Sequence, residues 1–192
     1  GIPMFPGQAA GDIKYLDVDG SGDITENDRV PLGSNDPNVT YFANLNFNYK
    51  GFDFDAQFNG AGNVGVFYTD RIAIPLNLGE NGGTPQKWHT DYWTPDNPDA
   101  RFPRLTPSPG SNGLFSNFWK VDGSFLRVRY VQIGYDVKRL MKNSRIDGLR
   151  VYFNAQNPFT FTSVETIDPE TKGNQSTHPM FKTYSFGVNL KF

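Results

Sequence analysis

Between Tyr41 and Asn59 the chain alternates residue by residue. Tyr41, Ala43, Leu45, Phe47 and Tyr49 fall on one side, with Phe42, Asn44, Asn46 and Asn48 on the other. After Lys50-Gly51 the pattern resumes, Phe52, Phe54, Ala56 and Phe58 opposing Asp53, Asp55, Gln57 and Asn59. Successive side chains of a strand point to opposite faces, so a period of two belongs to β-structure and is incompatible with a helix. Two such runs around a two-residue, glycine-containing turn predict a hairpin.

Three later stretches carry the same signal. Leu149, Val151, Phe153 and Ala155 alternate with Arg150, Tyr152, Asn154 and Gln156, and Tyr184, Phe186, Val188, Leu190 and Phe192 alternate with Ser185, Gly187, Asn189 and Lys191. Ser124 to Tyr135 alternates imperfectly. Leu126, Val128 and Tyr130 share one face while Val131, Ile133 and Tyr135 share the other, and a β-bulge near Arg129 would reconcile the halves.

The polar faces hold Asn, Gln, Asp and Ser more than the Lys and Glu usual on soluble sheets, and the opposite faces are rich in aromatics. A polar lumen and a lipid-facing belt account for both, and runs of about 9–11 residues suit tilted membrane strands. An aromatic-rich soluble β-sandwich has the same period. Connection lengths favour the membrane form: Lys50-Gly51 is short, about 61–118 long, about 137–148 short, and about 158–181 long. Outer-membrane barrels alternate short periplasmic turns with long extracellular loops. The expected fold is therefore all-β, a transmembrane antiparallel β-barrel of which about five C-terminal strands are present, since small membrane barrels begin at about eight strands. Residues 1–38 are expected to form an extracellular loop and residues 39–192 the C-terminal barrel strands, with the C-terminus periplasmic.

Composition narrows the function. The 192 residues begin at Gly1, with no initiator Met and no signal segment, so the first residue is not expected to be the start of the gene product. With a net charge of -2 and no cluster of Lys and Arg, nucleic-acid binding is not expected. Cysteine is absent, which excludes disulfides, thiolate metal sites and thiol nucleophiles. His89 stands near Asp91, but no nucleophile in an identifiable elbow completes a triad. Asp53 and Asp55 share a strand face and are more simply read as lumen-lining than as an acid/base pair. No enzyme is expected.

Asp17-Val-Asp19-Gly-Ser21-Gly22-Asp23-Ile24-Thr25-Glu-Asn-Asp28 has the spacing of an EF-hand calcium loop. Such loops supply oxygens from positions 1, 3, 5, 7, 9 and 12, here Asp17, Asp19, Ser21, Asp23, Thr25 and Asp28, with glycine at position 6 for a sharp turn. Asp28 replaces the usual bidentate Glu, and flanking amphipathic helices are absent. A structural calcium ion would neutralise five acidic side chains, Glu26 included. The alternative is an Asp/Gly-rich turn that stays solvated.

Trp88, Tyr92, Trp93 and Phe102 stand among Pro, Asp and Asn in the long connection. Exposed aromatics beside amides and carboxylates suit a sugar or peptide contact. Equally, such rings could pack into a mini-core that orders the loop.

Five stretches taken together resemble the C-terminal part of the SusC/RagA family of TonB-dependent outer-membrane transporters of Bacteroidetes-type bacteria. They are Gly11-Asp-Ile-Lys-Tyr-Leu-Asp-Val-Asp-Gly through Asp28-Arg29, Tyr92-Trp-Thr-Pro-Asp-Asn-Pro-Asp-Ala-Arg-Phe-Pro-Arg-Leu105, Asn117-Phe-Trp-Lys-Val-Asp-Gly-Ser-Phe-Leu-Arg127, Leu149-Arg-Val-Tyr-Phe-Asn-Ala-Gln-Asn-Pro-Phe159, and Tyr184-Ser-Phe-Gly-Val-Asn-Leu-Lys-Phe192. They occur in family order over nearly the whole chain. The resemblance implies a large barrel with an N-terminal plug, energised by the TonB complex and capped by a SusD-like lipoprotein, importing oligosaccharides or peptides. It also implies that Tyr184, Phe186, Val188, Leu190 and Phe192 form the C-terminal signal read by barrel-assembly machinery. A soluble extracellular calcium-binding adhesion or glycan-binding β-module is the competing reading.

Overall fold

The computed structural model describes residues 4–76, 85–141, 146–174, 177–178 and 180–192, and for Asp70 and Trp88 the backbone alone. In chain order the elements are β1 (Val39–Tyr49), β2 (Phe52–Gly62), β3 (Gly65–Phe67), the helical turn α1 (Asp70–Ala73), β4 (Lys120–Asp122), β5 (Phe125–Asp136), β6 (Gly148–Thr162) and β7 (Thr183–Lys191). Short 3-10 turns cover Glu26–Asp28, Lys87–Thr90, Gly110–Gly113, Asn117–Trp119, Val137–Leu140 and Pro169–Thr171. The chain packs as two compact units. One comprises Gly1–Asn35, Gly65–Val121 and Lys172–Gln175, the other Asp36–Val64, Asp122–Thr171 and Ser176–Phe192.

The second unit is built on a five-stranded antiparallel sheet in the order β1-β2-β5-β6-β7. Lys50 and Gly51 both have positive φ, 46° and 86°, as a type I′ hairpin turn requires. Register sorts the sheet into rows of one character. Phe47, Phe54, Ile133, Phe153 and Phe186 face one another across all five strands, as do Leu45, Ala56, Val131, Ala155 and Tyr184. The alternate rows are polar: Asn46, Asp55, Gln132, Asn154 and Ser185, then Asn44, Gln57, Tyr130, Gln156 and Thr183. One face is thus apolar and the other hydrophilic.

Arg129 makes this sorting possible. It is skipped in both ladders, with Val128 paired to Phe58 and Phe159 while Tyr130 pairs to Gln57 and Gln156. One extra residue inverts the alternation, so Leu126 and Val128 join Val131, Ile133 and Tyr135 on the apolar face. Tyr130, expected beside Leu126 and Val128, falls on the polar face instead. Pro158, expected to begin the connection after the third polar-apolar run, lies inside β6. Asn157, at φ 49°, and Pro158 stand together opposite the single Arg129. A bulge leaves its residues without a ladder bond to donate, which is where a strand tolerates proline.

Tyr41 reaches across Gly60 to donate its hydroxyl to the Phe125 carbonyl at 2.5 Å. A Cβ at Gly60 would run into the Tyr41 ring and that carbonyl, whereas one at Gly62 meets nothing within 4 Å. Similarly, Arg150 and Asp53 pair over Gly134, with Nε to Oδ1 at 2.9 Å, where a Cβ would strike both.

The sheet leaves its apolar face uncovered: Phe186 is 84% exposed and Phe161 60%. Among the described residues no helix is long and apolar enough to cross a membrane, which does not bear on crossing by strands.

Replacing Gly60 by valine should destabilise the sheet by about 1–3 kcal/mol, the usual range for overpacking. Urea unfolding followed by circular dichroism checks this, with Gly62→Val expected to stay near wild type.

Candidate functional site

The acidic loop closes on itself through backbone amides. Asp17 accepts from the amides of Gly20 at 2.7 Å and Gly22 at 2.8 Å, and Asp19 from that of Ser21 at 3.0 Å. Asp28 accepts from Val18 at 2.7 Å and Thr25 at 2.6 Å. Gly20 and Gly22, at φ 72° and 93°, supply the left-handed backbone the reversal needs. The outcome is that carboxylate oxygens of Asp17, Asp19 and Asp28 lie within 4.8 Å of one another. Asp23 does not join this trio. Its carbonyl accepts from the Ser21 hydroxyl at 3.0 Å, and the Thr25 hydroxyl caps the following turn by accepting from the Asn27 amide at 3.2 Å. Three like charges so close are tolerated because donors surround them. The Ser21 hydroxyl holds the Asp19 pKa below the usual carboxylate range, and the Thr25 amide does the same for Asp28. The donor set is all oxygen, the chemistry that suits a hard cation such as calcium.

The same unit contains a second, better buried centre. Asn112 is 2% exposed and fully used. Its Oδ1 accepts from the Ile13 amide at 2.8 Å, its Nδ2 donates to Asp12 at 2.7 Å, and its carbonyl accepts from Trp119 Nε1 at 2.8 Å. Arg104 grips Asp12 through Nε at 2.6 Å and Nη2 at 3.0 Å. Burial works to raise the Asp12 pKa, but bonds from Arg104, the Ala9 amide and Asn112 outweigh it and hold the group below its ordinary value. Residues 11–15, immediately before the acidic loop, are thereby stitched to residues 104–112.

Around this knot, Phe102 is buried and stacks on Trp119 with centroids 6.1 Å apart. Tyr92 bridges to Phe102 through the backbone, and the Trp93 ring covers Gly11, where a Cβ would collide with it. The Trp88 side chain lies outside the described residues. A shallow pocket beside the knot is lined by Ile72, His89, Phe102, Leu105, Asn112 and Trp119 among others.

His89 is 1% exposed. Its Nδ1 accepts from the Gln86 amide at 2.9 Å, which fixes the tautomer so that Nε2 donates to the Ile72 carbonyl, also at 2.9 Å. The Asp91 carboxylate instead accepts from Asn97 at 3.2 Å.

The terminal strand places Tyr184, Phe186, Val188 and Leu190 on the apolar face, all exposed, and Phe192 follows at 85% exposure. On the polar face, sequence reasoning missed a cluster. Arg127 is fully buried and satisfied on three sides, by Thr160 at 3.0 Å, Glu170 at 2.8 Å and Asp168 at 2.6 Å. The available signal was an arginine within the β-rich run Phe125-Leu-Arg-Val128, a position that demands partners when buried.

Burial lowers the His89 pKa more than its two backbone bonds raise it. The folded state therefore resists a proton that the unfolded chain accepts near pH 6.5, so the contribution to stability is complete above about 6.5 and is lost progressively as pH falls below it. Protection factors of the Ile72, Gln86 and His89 amides, each rate taken relative to its intrinsic rate at the same pH, should fall between pH 7.5 and 5.5. In His89→Gln that pH dependence should shrink while protection is lower throughout.

No protein-family model matches the chain. It is 27% identical over 93% of its length to TonB-dependent receptor P3 of Formosa agariphila, of which it covers 19%, and 26% identical over 93% of its length to TonB-dependent receptor SusC of Bacteroides thetaiotaomicron, of which it covers 17%. Among solved structures, a chain of the RagAB peptide transporter superposes with a TM-score of 0.64 at 25% identity, covering 95% of this chain and 21% of that one. The chain thus spans about a fifth of the length of the curated relatives it matches. In sequence and in fold the chain is similar to one segment of TonB-dependent receptors, SusC and the RagAB transporter among them.

Proposed function

We propose that the five-stranded sheet is a C-terminal part of the wall of an outer-membrane β-barrel that imports oligosaccharides or peptides under TonB control, together with a SusD-like surface lipoprotein. One observation carries this reading: the central register rows alternate between apolar and polar, and among the described residues nothing packs over the apolar rows. In water such a face has a large unfavourable hydration free energy, whereas against lipid chains it is at home and the opposite face lines an aqueous lumen. The relatives' names, TonB-dependent receptor and RagAB peptide transporter, support transport as the activity. On this reading the Lys50-Gly51 turn and the 137–147 connection are periplasmic, the longer connections extracellular, and Tyr184, Phe186, Val188, Leu190 and Phe192 form the assembly signal at the periplasmic rim. Tyr92, Trp93 and Phe102 then belong to an extracellular loop that meets the lipoprotein or the substrate. No residue of the chain is assigned covalent chemistry.

A structural calcium ion is proposed for the acidic loop, held by Asp17, Asp19 and Asp28 with Ser21, Asp23 and Thr25 completing the oxygen set. The convergence of three carboxylates supports it. Affinities in the range of roughly 10⁻⁴–10⁻³ M are usual for extracellular calcium modules.

Expressed at full length in a Gram-negative host, the protein should fractionate with the outer membrane, require detergent for extraction and migrate differently on gels before and after boiling. A monomer secreted without detergent would overturn the barrel reading in favour of a soluble adhesion module. In calorimetric titration of the purified protein with calcium chloride, an Asp17→Ala, Asp19→Ala variant should lose the binding heat; identical heats would dispose of the calcium site.

A further inference from the structure

Residues 163–171, the first part of the connection that leaves β6, stay on the sheet. Asn59, Arg127 and Thr160 occupy one register row of the polar face, on β2, β5 and β6. Two of them hold residues of the following segment directly. Asn59 Nδ2 donates to Glu170 Oε1 at 2.8 Å, while the Arg127 guanidinium takes Glu170 Oε2 at 2.8 Å and Asp168 Oδ2 at 2.6 Å. Thr160 supports the Arg127 Nε at 3.0 Å, and Arg129, the bulge residue, approaches Glu170 at 3.7 Å. The segment is itself tightly turned: Asp168 accepts from the Glu170 amide at 2.9 Å and from the Thr171 hydroxyl at 2.7 Å. Val164 and Pro169 are buried, so residues 163–171 form a strap lying on the polar face.

The anchoring chemistry is unusual for a mere loop tether. Taking a guanidinium fully out of water is costly, and hydrophobic contacts would hold a strap as well. An ion-pair fork holds one geometry and releases it as a unit. The asymmetry is informative too: the Arg127 side chain is 1% exposed, whereas those of Asp168 and Glu170 are 14% and 25% exposed. Arg127 belongs to the sheet, whereas the carboxylates, carried by the strap, keep some contact with solvent.

We propose that Arg127 is the latch of a strap, residues 163–171, that narrows the passage lined by the polar face, and that releasing this latch widens the route along the wall beneath it. The inference rests on the barrel reading, in which the polar face lines the lumen and this end of the sheet is extracellular. Arg127 acts as a positioning residue through the strap.

The chain has no cysteine, so a single reporter can be placed below the strap. Gln156, exposed on the polar face one row nearer the Lys50-Gly51 turn, is suited to it. In the full-length protein at the cell surface, with any cysteines elsewhere replaced, Gln156→Cys should react slowly with a 5-kDa polyethylene-glycol maleimide and readily with a small charged maleimide, the former being excluded by size as about 20 Å or more across. Adding Arg127→Gln, or Asp168→Asn with Glu170→Gln, should speed the bulky reagent several-fold and leave the small one unchanged. Arg127→Lys, which keeps charge without the fork, should fall between. Unchanged bulky labelling in variants present at wild-type surface levels overturns the latch, and so does failure of both latch variants to assemble, which would make the cluster a folding core. Recovery of the unsubstituted protein outside the membrane fraction would count against the barrel reading instead.

Discussion

The structure depends on a sheet face that none of the described residues covers. Burial of apolar surface is the main favourable term in folding, and here Phe47, Phe54, Ile133, Phe153 and Phe186 line up across five strands with none of the described residues packed over them. Everything else about the sheet is arranged to keep that face pure. Charge is confined to the other side, where Asp53 and Arg150 pair across the gap left by Gly134, and Arg127 pairs with Asp168 and Glu170. On the proposed barrel reading a membrane covers that face from outside, and the energetics of the sheet then cannot be separated from its surroundings.

The other unit uses a different strategy. Its described residues form only short elements, β3, α1 and several 3-10 turns among them, and its order comes from side chains that satisfy backbone groups. Asn112 serves Ile13, Asp12 and Trp119 at once, and His89 ties the Gln86 amide to the Ile72 carbonyl. Buried polar networks of this kind are specific because each member left unpaired carries a desolvation penalty. Aromatic residues that look like ligand contacts in sequence are partly committed to this scaffold: Phe102 is inside, against Trp119 and His89.

The strands were legible because a period of two is a local property. Tyr41 to Asn59 and Tyr184 to Phe192 show it without reference to anything distant, and the bulge near Arg129 could be placed because it breaks the pattern at one point. Its partner on β6 was not legible. Pro158 signals a strand end locally, and only the register with Arg129 shows why it is tolerated. The acidic loop announced its reversal through Gly22, yet the sequence could not show that Asp23 stands apart from Asp17, Asp19 and Asp28. The Arg127 cluster and the Asn112 knot join residues up to 100 positions apart, and such pairings leave no periodic trace.

The bulge also says something about how such a wall can change over time. In a strand that separates two environments, residues are counted modulo two: substitutions are judged one site at a time, but adding or removing a single residue exchanges the environments of everything beyond it. β5 contains one residue outside that count, Arg129, and β6 answers it with Asn157 and Pro158. The odd residue on one strand and the pair on its neighbour are therefore a matched set. Removing Arg129 alone would invert one half of β5 against both of its neighbours, whereas a residue added to a connection changes no strand's count.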